Sequence, residues 1–177
     1  MDRIEMSKKV FMSLRKPYTR HDKFVGKLKN MLLFIDGDIK EDQTVVFTLY
    51  HGKSNSVGRH EQIAELVLSL EYCDNAYHVD LIRVNSRYQG FNIAPKLYVY
   101  IMKKYKIILQ AGSLQSLGGR KLWAKLANTK NVLVFGTRGR KFQELEVDED
   151  TGELFLPGVN VYSEDCSNFK TFACYQG

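Results

Sequence analysis

A chain of 177 residues with 44% apolar and 26% charged side chains has the balance of one folded domain, residues 1–177, and excludes a disordered or fibrous protein. No apolar run approaches the ~20 residues that cross a bilayer, and the first residues lack the apolar stretch of a secretory signal, so a cytoplasmic setting is expected. The net charge of +6 favours an anionic partner without choosing among nucleic acid, acidic protein and phosphorylated cofactor, and Cys73, Cys166 and Cys174, an odd set without Cys-x-x-Cys spacing, give a zinc site no support.

Residues 8–29 hold Lys8, Lys9, Arg15, Lys16, Arg20, Lys23, Lys27 and Lys29, with Asp22 the sole acid. Tyr18, His21 and Phe24 interleave with these charges, an arrangement able to contact RNA or other nucleic acid, although a solvated basic face has the same composition. Residues 10–14 read as a first strand that stops near Pro17. Phe24, Leu28, Met31, Leu32 and Ile35 then recur at helical spacing, which predicts a helix over residues 21–35 ended by Gly37; residues 31–35 alone also fit a buried strand.

Residues 44–50, rich in β-branched and aromatic side chains, predict a strand, and residues 51–55 a loop. Two more strands follow at 63–73 and 78–84, with Asp74-Asn75 as turn chemistry between them, so three antiparallel strands in succession are expected. Residues 90–105 read as a helix whose stripes, Ile93/Leu97/Ile101/Tyr105 and Ala94/Tyr98/Met102, predict burial against a sheet. Pro95 falls in its first turn, where a missing N–H costs little. A strand at 106–111 completes a strand–helix–strand unit, whose two strands must be parallel with a right-handed crossover. A second helix is expected over 116–127 and a strand over 132–135, closed by Gly136. Residues 142–147 and 154–156 flank an acidic turn as a hairpin. The tail from residue 163 shows no pattern. The sum is an α/β fold: a mixed, mostly antiparallel sheet with a central splayed parallel pair and flanking helices.

The informative stretch is Val84-Asn85-Ser86-Arg87-Tyr88-Gln89-Gly90-Phe91-Asn92-Ile93-Ala94. A strand ends, a polar loop follows and a buried helix opens, which sets outward-pointing N–H groups and the positive end of a helix dipole together. Gly90, Asn92 and Ala94 are small or tolerant of left-handed backbone, so the loop can close on phosphate oxygens. The run is neither Gly-x-Gly-x-x-Gly nor a Walker loop. An unrelated α/β domain in which Gly90 merely turns the chain meets the same pattern.

The stretch resembles the acetyl-CoA pyrophosphate loop of the GNAT superfamily of N-acetyltransferases, Gln/Arg-x-x-Gly-x-Gly/Ala after a strand ending in Val. Gln89 matches the first position and Ala94 the last; Asn92 stands where glycine is usual, and Ser86 replaces a proline. Residues 118–127, with Leu122-Trp123-Ala124-Lys125-Leu126, are similar to the family's next helix, and residues 119–126 to phage-encoded members. The likeness is firm over 78–135 and weak before residue 60.

The resemblance implies an acyl-CoA N-acyltransferase fold and acetyl transfer from acetyl-CoA to a primary amine on a protein or small molecule, by direct attack in a ternary complex. It implies that the backbone of Gln89, Gly90, Phe91, Asn92, Ile93 and Ala94 holds the pyrophosphate, and that Ile82, Arg83 and Val84 pair with the pantetheine arm. Arg87, Arg120 and Lys121 are candidates for the phosphates, or solvated surface. For the base the candidates are His78 first and Asp80 second, two apart on one strand, with Glu71 and His51 behind them. The tyrosine that commonly protonates the leaving thiolate falls at Trp123, whose indole is no usable acid. Tyr162, Tyr88 or water takes that role, or catalysis has been lost and the chain is a silent binding or inhibitory module of the same fold.

Overall fold

Strand-forming residues pair in succession through the first half of the chain. In a computed structural model, the described residues are 23–28, 31–36, 44–51, 61–71, 76–112, 115–138, 141–159, 161–162 and 169–177. The chain divides into two compact units, one of residues 1–75 and 79–97, the other of residues 76–78 and 98–177.

The first unit contains β1 (Lys23–Leu28), β2 (Met31–Asp36), β3 (Thr44–His51), β4 (Gln62–Glu71) and most of β5 (Ala76–Val84), adjacent in that order. β1, β2, β3 and β4 pair antiparallel in turn. Register explains the core. Leu33 lies opposite Leu49, and Leu49, Phe47 and Val45 lie opposite Ala64, Leu66 and Leu68, and every one of these side chains is buried. Residues of one parity thus line one face, as a two-residue repeat requires.

The helix expected over 21–35 is instead the β1–β2 hairpin. Its apolar residues do recur at helical spacing, but Met31 to Asp36 find an unbroken partner in β3, and pairing in a sheet outweighs a weak local preference. Gly26 marks an irregularity in the β1 ladder, as glycine in a strand often does. The strands expected at 44–50 and 63–73 are β3 and β4. The strand expected at 10–14, the Asp74-Asn75 turn, Cys73 and Cys166 lie outside the described residues.

In the second unit the start of β5 pairs parallel with β6 (Leu109–Gln110), Tyr77 opposite Leu109 and His78 opposite Gln110. β11 (Lys170–Tyr175) pairs antiparallel with β6 and with β7 (Val132–Arg138), and β7 pairs with β8 (Lys141–Glu144). The helix α1 (Ile93–Tyr105) runs from the first unit into the second. It buries Ile93, Leu97, Tyr98, Ile101 and Met102 of the stripes expected of it, while Ala94 and Tyr105 are half-buried. The helix α2 (Leu117–Ala127) buries Leu122, Trp123, Ala124 and Leu126. The architecture is therefore mixed α/β, mostly antiparallel with one parallel pair, and carries two helices among the described residues.

Several boundaries differ from expectation. α1 opens at Ile93 rather than residue 90, because Gly90 and Asn92 have positive φ (83° and 56°), which no right-handed helix contains. The strand expected over 106–111 shrinks to β6; Lys106, at φ 55°, breaks the chain direction after α1. β7 does not stop at Gly136 but runs to Arg138. The single hairpin expected over 142–156 is divided. β8 joins β7, then buried Leu145 donates its N–H to the Val134 carbonyl, and only β9 (Glu146–Val147) pairs with β10 (Leu154–Phe155). The tail without a pattern supplies β11, an inner strand between β6 and β7, with Phe172 and Ala173 buried.

Candidate functional site

Strand β5 ends at Val84, and three devices build the turn that follows. Asn85 donates its backbone N–H to the Ile63 carbonyl at 2.8 Å and its side-chain amide to the Gln62 carbonyl at 3.3 Å, which ties the end of β5 to β4. Its side-chain oxygen accepts the Arg87 N–H at 3.1 Å and so caps one turn of 3₁₀ helix, Ser86–Tyr88. Gln89 closes that turn: its N–H donates to the Ser86 carbonyl at 3.3 Å, and its side-chain amide reaches back to the Val84 carbonyl at 3.2 Å.

Gly90 and Asn92 then adopt left-handed backbone on either side of Phe91, which is 64% exposed. Asn92 accepts the first helical bond, from the Lys96 N–H, so α1 begins at Ile93. The N–H groups of Ile93 and Ala94 therefore point out of the helix with no earlier carbonyl to meet, and Pro95 contributes none. No acidic residue occupies the first turn of α1. The Lys96 ammonium donates to the Phe91 carbonyl at 2.9 Å, adding a positive charge and fixing the loop to the helix it opens. Open space lies where a Gly90 Cβ would be. The arrangement suits an anion with several oxygens.

Around this turn, Glu61 receives the Tyr88 hydroxyl at 3.0 Å and the Arg87 guanidinium at 3.4 Å. Arg87 is 78% exposed and Glu61 41%, so their ion pair contributes at most about 1 kcal/mol and is readily exchanged for another anion. Loss of hydration, then the bond to Glu61, raises the pKa of the Tyr88 hydroxyl.

On β5, Asp80, Ile82 and Val84 share one face and Arg83 the other. Asp80 is exposed and accepts the Ser69 hydroxyl at 3.0 Å. His78 belongs to the second unit, where its backbone pairs with Gln110. His51 ends β3, exposed, its ring 6.4 Å from that of Tyr88. Glu71 ends β4. Of the basic residues 8–29, only the backbone of β1 falls among the described residues.

In the second unit, Trp123 is 2% exposed and meets Tyr98 edge-on at 6.2 Å, a core position. The Tyr162 hydroxyl accepts the Leu154 N–H at 2.8 Å, and burial raises its pKa. Arg120 stacks over the Tyr162 ring at 4.7 Å, while Lys121 is exposed. The N-terminus of α2 is capped by Ser116, whose hydroxyl accepts the Gly119 N–H at 3.2 Å. Sequence reasoning missed Asn85, Glu61 and Lys96. Only Asn85 had a signal, an Asx residue directly after a strand. No group of three or more potential metal ligands occurs among the described residues.

No protein-family model matches the chain, and no curated protein matches it significantly. Among solved structures it is similar to an IAA acetyltransferase from Bacillus cereus ATCC 14579, at 15% identity and a TM-score of 0.39 over 75% of this chain and 78% of the other. A likeness of that degree does not bear on what this chain does.

Proposed function

We propose that the chain is an acetyl-CoA-dependent N-acetyltransferase of the GNAT type, one domain over residues 1–177, acting on a primary amine of a protein or small molecule. The observation that carries the reading is the turn after Val84. Asn92, at the position of the family's first loop glycine, and the nearby Gly90 both adopt left-handed backbone directly before a buried helix. In this reading the N–H groups of Gly90, Phe91, Asn92, Ile93 and Ala94 donate to the diphosphate. Gln89, whose own N–H is engaged, holds the turn closed. The backbone of Ile82, Arg83 and Val84 pairs with the pantetheine amides.

Acetyl-CoA supplies the activated acyl group, so the chain needs only to deprotonate the amine, orient it and return a proton to the thiolate. Asp80 lies four residues before Val84, about 13 Å along the strand, on the same face as Ile82. It is the base this reading favours, with His78, two residues earlier, the alternative. A thiol with a pKa near ~8.5 leaves without strong acid help, so solvent can supply the proton. The role is cytoplasmic, and a phage origin is compatible with it.

A second reading is a binding module of the same fold without catalysis. The burial of Trp123 favours it, because no phenol occupies the position of the family's acid. One assay separates the two. The full chain is incubated with acetyl-CoA and a panel of primary amines, and free thiol is followed with a chromogenic disulfide. Amine-dependent thiol release, lost in Asp80→Asn or His78→Gln, supports transfer. A parallel thermal-shift titration reads binding: a shift with acetyl-CoA but no thiol release leaves the silent module, and no shift at millimolar acetyl-CoA removes the transfer reading.

A further inference from the structure

Residues 81–143 contain thirteen lysines and arginines and no aspartate or glutamate. A diphosphate turn engages few of these charges, and three of them lie close together in the second unit. At the C-terminal end of α1, Lys103, Lys104 and Lys106 are all exposed. Lys103 lies 5.4 Å from the centre of the Tyr175 ring and Lys106 lies 5.8 Å from it. Lys104 lies 5.5 Å from the Tyr100 ring and 5.8 Å from that of Tyr105. Three ammonium groups and three half-buried phenols thus form two adjoining clusters at this helix end, joined through the neighbours Lys103 and Lys104.

A helix C-terminus favours lysine in its last turn, which accounts for Lys103 and Lys104. It does not account for Lys106, which is past the helix in a left-handed conformation and donates to the backbone oxygen of Gly177 at 3.1 Å. Nor does it account for a surface on which no carboxylate side chain is paired with these lysines among the described ion pairs. The helix end carries roughly half a negative charge and the Gly177 oxygen met by Lys106 adds to it, so three ammonium groups leave the patch with a smaller net positive charge. Asn131, and then the Lys103 and Lys106 charges, draw the Tyr175 hydroxyl below its ordinary pKa.

We propose that this surface, Lys103, Lys104 and Lys106 with Tyr100, Tyr105 and Tyr175, docks a single-stranded nucleic acid, the lysines turning away from the rings they cover to track phosphates and the tyrosine faces so uncovered taking stacked bases. An acidic polypeptide meets the charge but has no use for the aromatic rings; a strand of nucleotides uses both. The surface uses none of the residues assigned to acetyl transfer, so it stands or falls separately.

The test is fluorescence anisotropy of the full chain with a labelled single-stranded RNA 12-mer of mixed sequence, from 50 to 200 mM salt. Three phosphate contacts correspond to a log–log slope of about −2, roughly 20-fold weaker binding across that range. The variant Lys103→Glu/Lys104→Glu/Lys106→Glu should lose at least tenfold in affinity at 50 mM. The charge-matched variant Lys125→Glu/Arg138→Glu/Lys141→Glu, at other exposed positions, should lose less than threefold. Thermal unfolding of both variants shows that each is folded. If the triple lysine variant does not fold, Tyr100→Ala and Tyr175→Ala should each weaken binding with total charge unchanged. Equal loss in the two charge variants, equal affinity for a polyglutamate peptide, or no wild-type binding at 50 mM overturns the proposal.

Discussion

At Gly90 and Asn92 the backbone takes a conformation that most side chains resist. Gly90 has φ 83°, and a Cβ there would touch nothing, so Gly90→Ala isolates backbone strain from crowding. It should cost about 1–2 kcal/mol of stability, read as a fall in the thermal midpoint, and weaken acetyl-CoA more than the same loss of stability elsewhere. Asn92→Gly should be neutral or slightly stabilising, because asparagine is merely tolerated at φ 56°, whereas Asn92→Val should behave like Gly90→Ala or worse. These two residues were legible in the sequence for the same reason: residue types that accept positive φ, set between a strand and a buried helix. Glu61 was not. It reaches Arg87 and Tyr88 from 26 and 27 positions away, and no local pattern announces such a contact.

Elements whose apolar pattern faces one partner were read well, and those defined by long-range pairing were not. Residues 44–50, rich in β-branched and aromatic side chains, became β3, while 21–35 satisfied helical spacing and still became a hairpin, because β3 supplied the partner. β11 was invisible. Its six residues hold their place by pairing with distant β7, from Lys170 opposite Thr137 to Tyr175 opposite Val132, a separation that no local window of sequence contains. Where β7 passes Phe169, Gly136 leaves room for the ring, so Gly136→Ala forces the ring aside. It should destabilise by about 1–3 kcal/mol, and Phe169→Ala should restore much of the loss in a double-mutant cycle. Ser116→Ala removes the cap of α2 and should cost about 1 kcal/mol, with Ser116→Asp retaining the stability. In the turn between β9 and β10, Asp148 accepts the Thr151 N–H, the Thr151 hydroxyl and the Asp150 N–H. These bonds, led by the Thr151 N–H, hold its carboxyl below its ordinary pKa of 3.8. The turn should therefore be fully ordered above that value and loosen as pH falls through the lowered one. The Thr151 amide resonance should follow this titration, and Asp148→Asn should abolish it.

For the molecule as a whole, charge segregation is the organising fact. A long acid-free segment carries both the turn after Val84 and the lysine–tyrosine surface of the second unit, while carboxylates concentrate in residues 144–153. The general α/β class followed from composition and strand–helix–strand order, but the division into two units did not, since β5 and α1 each contribute to both. The central claim is that the amides after Val84 hold a diphosphate. The most direct measurement is an amide-resolved NMR titration of the ¹⁵N-labelled full chain with acetyl-CoA. The account predicts saturable shifts, largest at Gly90, Phe91, Asn92, Ile93 and Ala94 and reduced in Gly90→Ala. Saturable shifts elsewhere with these five amides unmoved, or no shifts at millimolar acetyl-CoA, would contradict it.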